Sequence, residues 1–264
     1  MGLLRRRDAP PTATLARRIE DASLNASAPP QQAYVDGWLL RLSPGKAKRT
    51  RCVNALQQGR LPLADMLARC RAAFTSSGLP LIVRITPFTQ PTDLDARLAI
   101  LRWHRFDETQ VMALVDLAGL SAPSLPAGVQ LQRLDTAGYA QLVGALRGSP
   151  AEQIAAHAER LRESLVPYQG YRLVRGSTLL ACGQIAIEDG LVGLYDVFTP
   201  EAQRGRGHGE RLCRALLAQG STQGAVHAYL QVSDDNAAAI HLYEKLGFQL
   251  AYRYHYRSEN ADVE

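Results

Sequence analysis

The run from Leu191 to Gly209, LVGLYDVFTPEAQRGRGHG, decides the reading of this chain. It opens mostly apolar with two aromatics and is broken at Pro200. It then passes through Gln203, Arg204, Gly205, Arg206, Gly207, His208 and Gly209 into the helical pattern ERLCRALLAQG. That order reads as strand, tight turn and helix, with glycines gathered where the chain turns. The first N–H groups of a helix have no partner inside it, and small residues there let an anion approach the backbone. Arg204 and Arg206 add positive charge, so a phosphate or pyrophosphate is the natural guest. A Walker A loop would need Gly-Lys-Ser/Thr at its end, which is absent. A dinucleotide fingerprint needs G-x-G-x-x-G, whereas the glycines here alternate at 205, 207 and 209. Taken alone, the stretch also fits a helix entrance that binds nothing.

The rest of the chain narrows the choice. Its 264 residues suit one large domain or two small ones, and 46% hydrophobic against 21% charged residues predicts globular order. Lys+Arg 30 against Asp+Glu 25 gives a formal charge of +5, spread along the chain. Such a charge favours modest attraction to anions, and no aromatic-interleaved basic groove for nucleic acid accompanies it. The cysteines at 52, 70, 182 and 213 lack CxxC spacing and read as buried thiols in a reducing, cytoplasmic setting. The six histidines contain no HxH or HExxH pair, so no metal site is expected. No apolar run reaches the ~18 residues of a membrane span, and the start lacks a secretory apolar region. Arg5, Arg6 and Arg7 read as a solvated end.

Upstream of the central run, Thr14 to Ser27 predicts an amphipathic helix with Leu15, Ile19, Ala22 and Ala26 on one face. Tyr34 to Leu42 reads as a strand. A turn at Ser43-Pro44-Gly45 leads to KRTRCVNAL as its partner, carrying Lys46, Lys48, Arg49 and Arg51 either on an exposed edge or as one wall of an anionic-ligand cleft. Pro62 opens a helix ended by Gly78. A strand before Pro87, a short helix from Asp93 to Leu101 and a strand from Gln110 to Leu117 follow. The Gly/Ser/Pro/Ala stretch from 118 to 128 has linker composition, which sets expected domains at 1–118 and 129–264 joined by 119–128. Beyond it the reading is a strand at 129–134, helices at 136–147 and 150–165, a loop at 166–170, and strands at 171–176 and 177–189. The central strand and helix come next, then strand 225–232, helix 236–246 and a last strand FQLAYRYHYR. Turn-linked strands followed by strand–helix crossovers predict a mixed α/β sheet.

Two motifs, in order and correctly spaced, resemble the GNAT superfamily of acyl-CoA-dependent N-acetyltransferases over residues 129 to 256. One is the acyl-CoA loop Arg204-Gly205-Arg206-Gly207-His208-Gly209 after a strand ending VFTP. The other is Gln231-Val232-Ser233 closing a strand, Asn236 opening a helix, and Ala239 through Phe248. The first half is similar, more weakly, to the degenerate acetyltransferase-like domain that precedes the catalytic one in some members. Tyr34 to Arg41 is its clearest piece, and Leu98 to Met112 stands like a reduced closing segment. No acyl-CoA loop matches there. The implied fold is a central, mostly antiparallel sheet splayed at the acyl-CoA site, in tandem with a smaller α/β domain.

The resemblance implies acetyl-CoA as co-substrate and no metal. The backbone of Arg204, Gly205, Arg206, Gly207, His208 and Gly209 would bind its pyrophosphate, and Val197, Phe198 and Thr199 its pantetheine arm. Asn236 would cap its helix and touch that arm. Tyr243 occupies the general-acid position, although a tyrosine in such a helix is also an ordinary packing residue. Asp196 is the one carboxylate within the central strand, and it is expected to act as base or amine anchor on the face opposite Tyr195. The implied partner is a small-molecule or peptide primary amine, with no nucleic acid and no membrane; a homodimer fits as well as a monomer. Two other classes compete. A non-catalytic acyl-CoA sensor would keep the loop but has no need of Tyr243. A nucleotide regulator would need an acidic residue about 20 positions after its loop, and Ser221 to Gly224 supply none.

Overall fold

The computed structural model describes residues 10–43, 47–118, 120 and 122–263. The readings of Arg5 to Arg7, of the Pro44-Gly45 turn and of Lys46 lie outside the described residues. The first elements are α1 (Ala13–Ala26), β1 (Gln32–Val35), β2 (Trp38–Arg41), β3 (Val53–Ala55), α2 (Leu63–Ser76), β4 (Ile82–Ile85), α3 (Leu94–Ile100) and β5 (His104–Leu114). Then come β6 (Val129–Leu134), α4 (Thr136–Arg147), α5 (Ala151–Glu163), β7 (Tyr168–Arg175), β8 (Thr178–Glu188) and β9 (Leu191–Phe198). The chain ends with α6 (His208–Thr222), β10 (His227–Ser233), α7 (Ala237–Lys245) and β11 (Gln249–Ser258).

These elements gather into two compact units. One holds the chain up to Ala26, Val111–Val232 and Asn236–Ala251; the other holds Ser27–Gln110, Ser233–Asp235 and the chain from Tyr252 on. The contacts therefore cut the chain elsewhere than at the linker-like stretch, and β5 and β11 each contribute to both units. In the larger unit the sheet runs β10-β9-β8-β7-β6, with β5 beyond β10. From β6 to β9 neighbouring strands pair antiparallel, and β9 pairs β10 in parallel. In the other unit the order is β1-β2-β3-β4-β11, antiparallel except β3 with β4. The architecture is the expected mixed α/β sheet with helices over it.

Four local expectations are corrected. The strand expected at 34–42 is a hairpin, because Asp36 (φ 46°) and Gly37 (φ 85°) take the left-handed conformations of a tight turn between β1 and β2. Its partner is only Val53–Ala55, preceded by a 3-10 turn at Lys48–Thr50. The loop expected at 166–170 is strand from Tyr168, where Gly170 pairs Leu134 and lies under the Tyr139 ring. The fourth correction, at Asp196, belongs to the site.

α1 packs as its periodicity demands, with Leu15, Ile19, Ala22 and Ala26 buried. Arg18 donates to the Asp189 carbonyl (2.6 Å), Asn25 to Glu188 (2.8 Å), and Tyr168 Oη to the Ala26 carbonyl (2.8 Å). The first two bonds tie the first helix to the β8–β9 turn and the third ties it to β7, all far along the sequence. Elsewhere in the larger unit, Leu212, Cys213 and Leu216 of α6 pack with Ala181, Ile185, Leu194 and Leu230 of the sheet.

The two halves share a local signature. After α7, Gly247 (φ 92°) donates to the Glu244 carbonyl (2.9 Å) and Phe248 to the Tyr243 carbonyl (3.0 Å). After α3, Arg102 (φ 62°) donates to Ala99 (2.9 Å) and Trp103 to Leu98 (3.0 Å). Both are left-handed helix stops in which the second residue past the end bonds back into the last turn. Leu98 thus stands where the later copy has Tyr243, and an arginine where it has glycine.

Candidate active site

The site is built where β9 stops, turns and becomes α6. Past Phe198 a 3-10 turn at Glu201–Gln203 is closed by Gln203 N–H to the Pro200 carbonyl (2.8 Å) and Arg204 N–H to Glu201 (3.1 Å). Gly205 and Gly207 both sit at φ 73°, a conformation that costs other L-residues about 1–2 kcal/mol. Gly207 is the N-cap of α6, and it has no side chain to satisfy the helix amides. The first bond into the helix runs from Arg211 N–H to the Gly207 carbonyl (3.1 Å). Among the described residues, the amides from Gly205 to Glu210 donate none of the backbone hydrogen bonds that close the loop and the helix entrance. A Cβ placed on Gly205 or Gly207 would meet nothing within 4 Å, so the space over the loop is open. Gly209 does different work: a Cβ there would come 3.2 Å from Thr199 Oγ1 and 3.5 Å from Leu242, so it allows α7 to approach the loop.

Charge surrounds this entrance. Arg204 and Arg206 are exposed, and Arg204 Nε donates to the Thr199 carbonyl (3.3 Å). His208 is buried, with Nδ1 3.2 Å from Arg211. Its burial, and then the charges of Arg211, Arg175 and Arg206, lower its pKa, so the ring is neutral at pH 7. The positive field comes from arginines. Arg175 and Arg211 were not singled out from sequence; Arg211 follows His208 by one helical step, whereas nothing local marks Arg175.

α7 is held against this end of α6. Glu210 bridges Lys245 (2.6 Å) and Arg214 (3.1 Å). Asn236 accepts from the Ala239 N–H (3.2 Å), the expected cap of α7. Tyr243 is buried on the inner face of α7, edge-on to Phe248 at 6.0 Å between centroids. Burial, and secondarily the neighbouring Cys213 thiol, raises its pKa, so the hydroxyl keeps its proton. The Cys213 thiol is itself pushed up to about 12 by burial.

β9 and β10 pair from His227↔Leu191 to Leu230↔Leu194. Past that point β9 continues to Phe198 and β10 to Ser233, with no further rung in their register. Just there β9 bulges. Gln184 pairs Tyr195 while Cys182 pairs Phe198, and Asp196 takes φ 48°. The extra residue cancels the alternation on which the sequence reading relied. Tyr195 and Asp196 do not point to opposite faces: both turn toward Gln184, Tyr195 as its rung partner and Asp196 through its carboxylate. Tyr195 Oη meets Tyr229 Oη at 2.7 Å. The Asp196 carboxylate accepts from Arg147 of α4 (2.7 Å) and from Gln184 Nε2 (2.8 Å), while its carbonyl accepts from Tyr139 Oη (3.2 Å). Val197 turns the other way, toward Leu212 and Leu216 of α6 across Gly183. Asp196 and Tyr243 are thus carried on different elements, the first beside α4 and the second beside α6. Arg147 and Gln184 were missed from sequence because neither lies in a motif.

Among the described residues no group of three or more His, Cys, Asp or Glu side chains is placed to hold a metal, and no helix is long and apolar enough to cross a membrane. All four cysteines are buried thiols outside any disulfide.

Comparison with known proteins bears on this geometry. A family profile described as "Probable histone acetyltransferase Rv0428c C-terminal" matches residues 12–257. The uncharacterized N-acetyltransferase YobR of Bacillus subtilis (strain 168) is 27% identical over 229 residues, spanning 86% of this chain and 91% of that protein. A GCN5-related N-acetyltransferase from Kribbella flavida superposes with a TM-score of 0.67 at 20% identity, over 94% of this chain and 97% of that one. A tandem GNAT protein from the clavulanic acid biosynthesis pathway gives 0.61 at 18% identity, over 76% and 70%. The two structural likenesses speak to the fold.

Proposed function

Because the chain belongs to the Rv0428c C-terminal acetyltransferase family, and so to the acetyl-CoA-dependent GNAT enzymes, we propose that it acetylates a primary amine by direct attack on the thioester. Acetyl-CoA supplies a carbonyl open to a neutral amine and a thiolate as leaving group. The open amides of Gly205 to Glu210, backed by the positive end of α6, suit the coenzyme's pyrophosphate, and Arg204, Arg206, Arg175 and Arg211 add charge around it. In this reading the backbone of Val197, Phe198 and Thr199 holds the pantetheine arm. The end of the β9–β10 register at Leu194 and Leu230 is the splay that admits the thioester. Asn236 caps α7 and thereby sets the angle at which Tyr243 is presented.

Tyr243 is assigned as the acid that donates a proton to the departing sulfur, since its raised pKa keeps it protonated across the working range. Asp196 is assigned as the anchor of the incoming ammonium. The acceptor is a small molecule or a peptide with a free amine, approaching beside α4 and α5, and nucleic acid is not among the proposed partners. We take the sequence-related halves to be 1–118 and 129–264, joined by 119–128, with the chemistry in the second. The separate buried thiols favour a reducing cytoplasm.

The observation that carries this reading is the helix entrance at 205–210 with its amides open. It is tested by thiol release from acetyl-CoA over a broad amine panel, with intact protein and Tyr243→Phe. Tyr243→Phe is expected to lower kcat by about a hundredfold, in the range of general acid catalysis, with acetyl-CoA affinity kept. Equal kcat in the two proteins would remove Tyr243 from the chemistry. No amine-dependent release from either would count against turnover altogether.

A further inference from the structure

The bulge on β9 assembles more than an amine anchor. Gln184 is buried, at 2% exposure, and its two ends differ: Nε2 donates to Asp196 Oδ2 at 2.8 Å. Among the described residues Oε1 has no hydrogen-bond partner. A buried acceptor without a donor costs ~1–3 kcal/mol, so the site lacks an N–H. An ammonium beside Asp196 would supply one.

Arg147 borders the same place. It ends α4, just before the left-handed cap Gly148, and one of its N–H groups donates to Asp196 Oδ1 at 2.7 Å. Its side chain is 45% exposed although it is held there. A guanidinium carries five donors in a planar fork, so the others face outward from a fixed position. Beyond it, on α5, the Nε2 of His157 is buried without a partner. That ring is kept neutral by burial and then by the charges of Arg160 and Arg147.

We propose that the side chains gathered at this bulge read an amine bearing a nearby carboxylate: the ammonium sits on Asp196 and Gln184 Oε1, and the carboxylate sits on the outward N–H groups of Arg147. An acceptor carrying only positive charge would leave that charge unmatched beside the Arg147–Asp196 pair, whereas a zwitterion brings a carboxylate for Arg147 as well. The bulge makes this possible by turning Asp196 toward the helix that carries Arg147. Arg147 is on this account a specificity-determining residue. The proposal rests on the acetyltransferase reading and narrows its acceptor.

The test compares α-amino acids with their carboxamides as acceptors of the acetyl group, with a lysine-rich peptide as a third arm. Wild-type protein, Arg147→Gln and Arg147→Lys are used, with acetyl-CoA binding by calorimetry and melting temperature measured on each. Wild type is expected to prefer the acids by about ten- to a hundredfold in kcat/KM, the worth of a charged hydrogen bond. Arg147→Gln is expected to erase that preference through KM, the acids falling to the level of the carboxamides in the same variant. Arg147→Lys is expected to recover part of it, as a point charge without the fork. Carboxamides or the peptide acetylated as well as the acids would overturn the proposal, as would acetyl-CoA binding without acetylation of any acid. Failure to bind acetyl-CoA would overturn the underlying reading as well.

Discussion

Tyr243 and Asp196 differ in how their surroundings set their chemistry. Tyr243 is a core residue whose hydroxyl is disfavoured as an anion, so its ionisation lies above the ordinary tyrosine value of about 10. A group raised in this way stays a proton donor up to that value. The acceptor amine, in contrast, must lose a proton before it attacks. The expected profile of kcat/KM therefore rises toward the acceptor's own pKa, with no descending limb from Tyr243 below about pH 10. Initial rates from pH 6.5 upward check this, and a limb falling below about pH 9 would contradict the assignment. The loop residues 203–209 were legible in the sequence because their message is local: alternating glycines, two arginines and a helix behind them. Arg147 and Gln184 were not legible, because they meet Asp196 only through folding, and the bulge that aims Asp196 is a slip in register between β8 and β9. His208 was legible as a loop residue but not as a neutral one, since Arg175 and Arg211 reach it from outside the motif.

At the scale of elements, the parting of β9 from β10 depends on how tightly they join below it. Gly193 pairs Tyr229 in the parallel register, and a Cβ there would lie 2.5 Å from the Tyr195 ring and 2.7 Å from the Tyr229 ring. Those rings are buried, cross at 90° and share the 2.7 Å hydroxyl contact. Neither can retreat without breaking that pair. Gly193→Ala is expected to cost about 1–3 kcal/mol by overpacking, with about 2–4 °C of Tm lost per kcal/mol at this size. A melting temperature equal to wild type would show that the tyrosine pair yields freely. Periodicity made most elements legible, α1, α2, α4 and α6 among them, because a buried stripe repeats along one helix. It could not divide the strand expected at 34–42, where the Asp36-Gly37 signal was overridden by an apolar run. Nor could it place α1, whose stripe says that it is buried but not that Asp189 and Glu188 would hold it.

For the whole molecule, the repeated helix stop is informative. Leu98 and Arg102 occupy the positions of Tyr243 and Gly247, so the earlier helix stop has the same bonds and no hydroxyl at the position proposed for the acid. With no glycine-alternating loop in the first 118 residues, one coenzyme per chain is expected. The spread-out charge of +5 assists an anionic coenzyme without marking a nucleic-acid surface. The most direct measurement is a calorimetric titration of acetyl-CoA into the intact protein and into Gly207→Glu. The account predicts one site per chain in the first, and loss of binding by a still-folded protein in the second, its melting temperature lowered by only a few degrees through the left-handed conformation at 207, because a carboxylate would stand where the pyrophosphate meets the helix amides. Undiminished affinity in Gly207→Glu would contradict it.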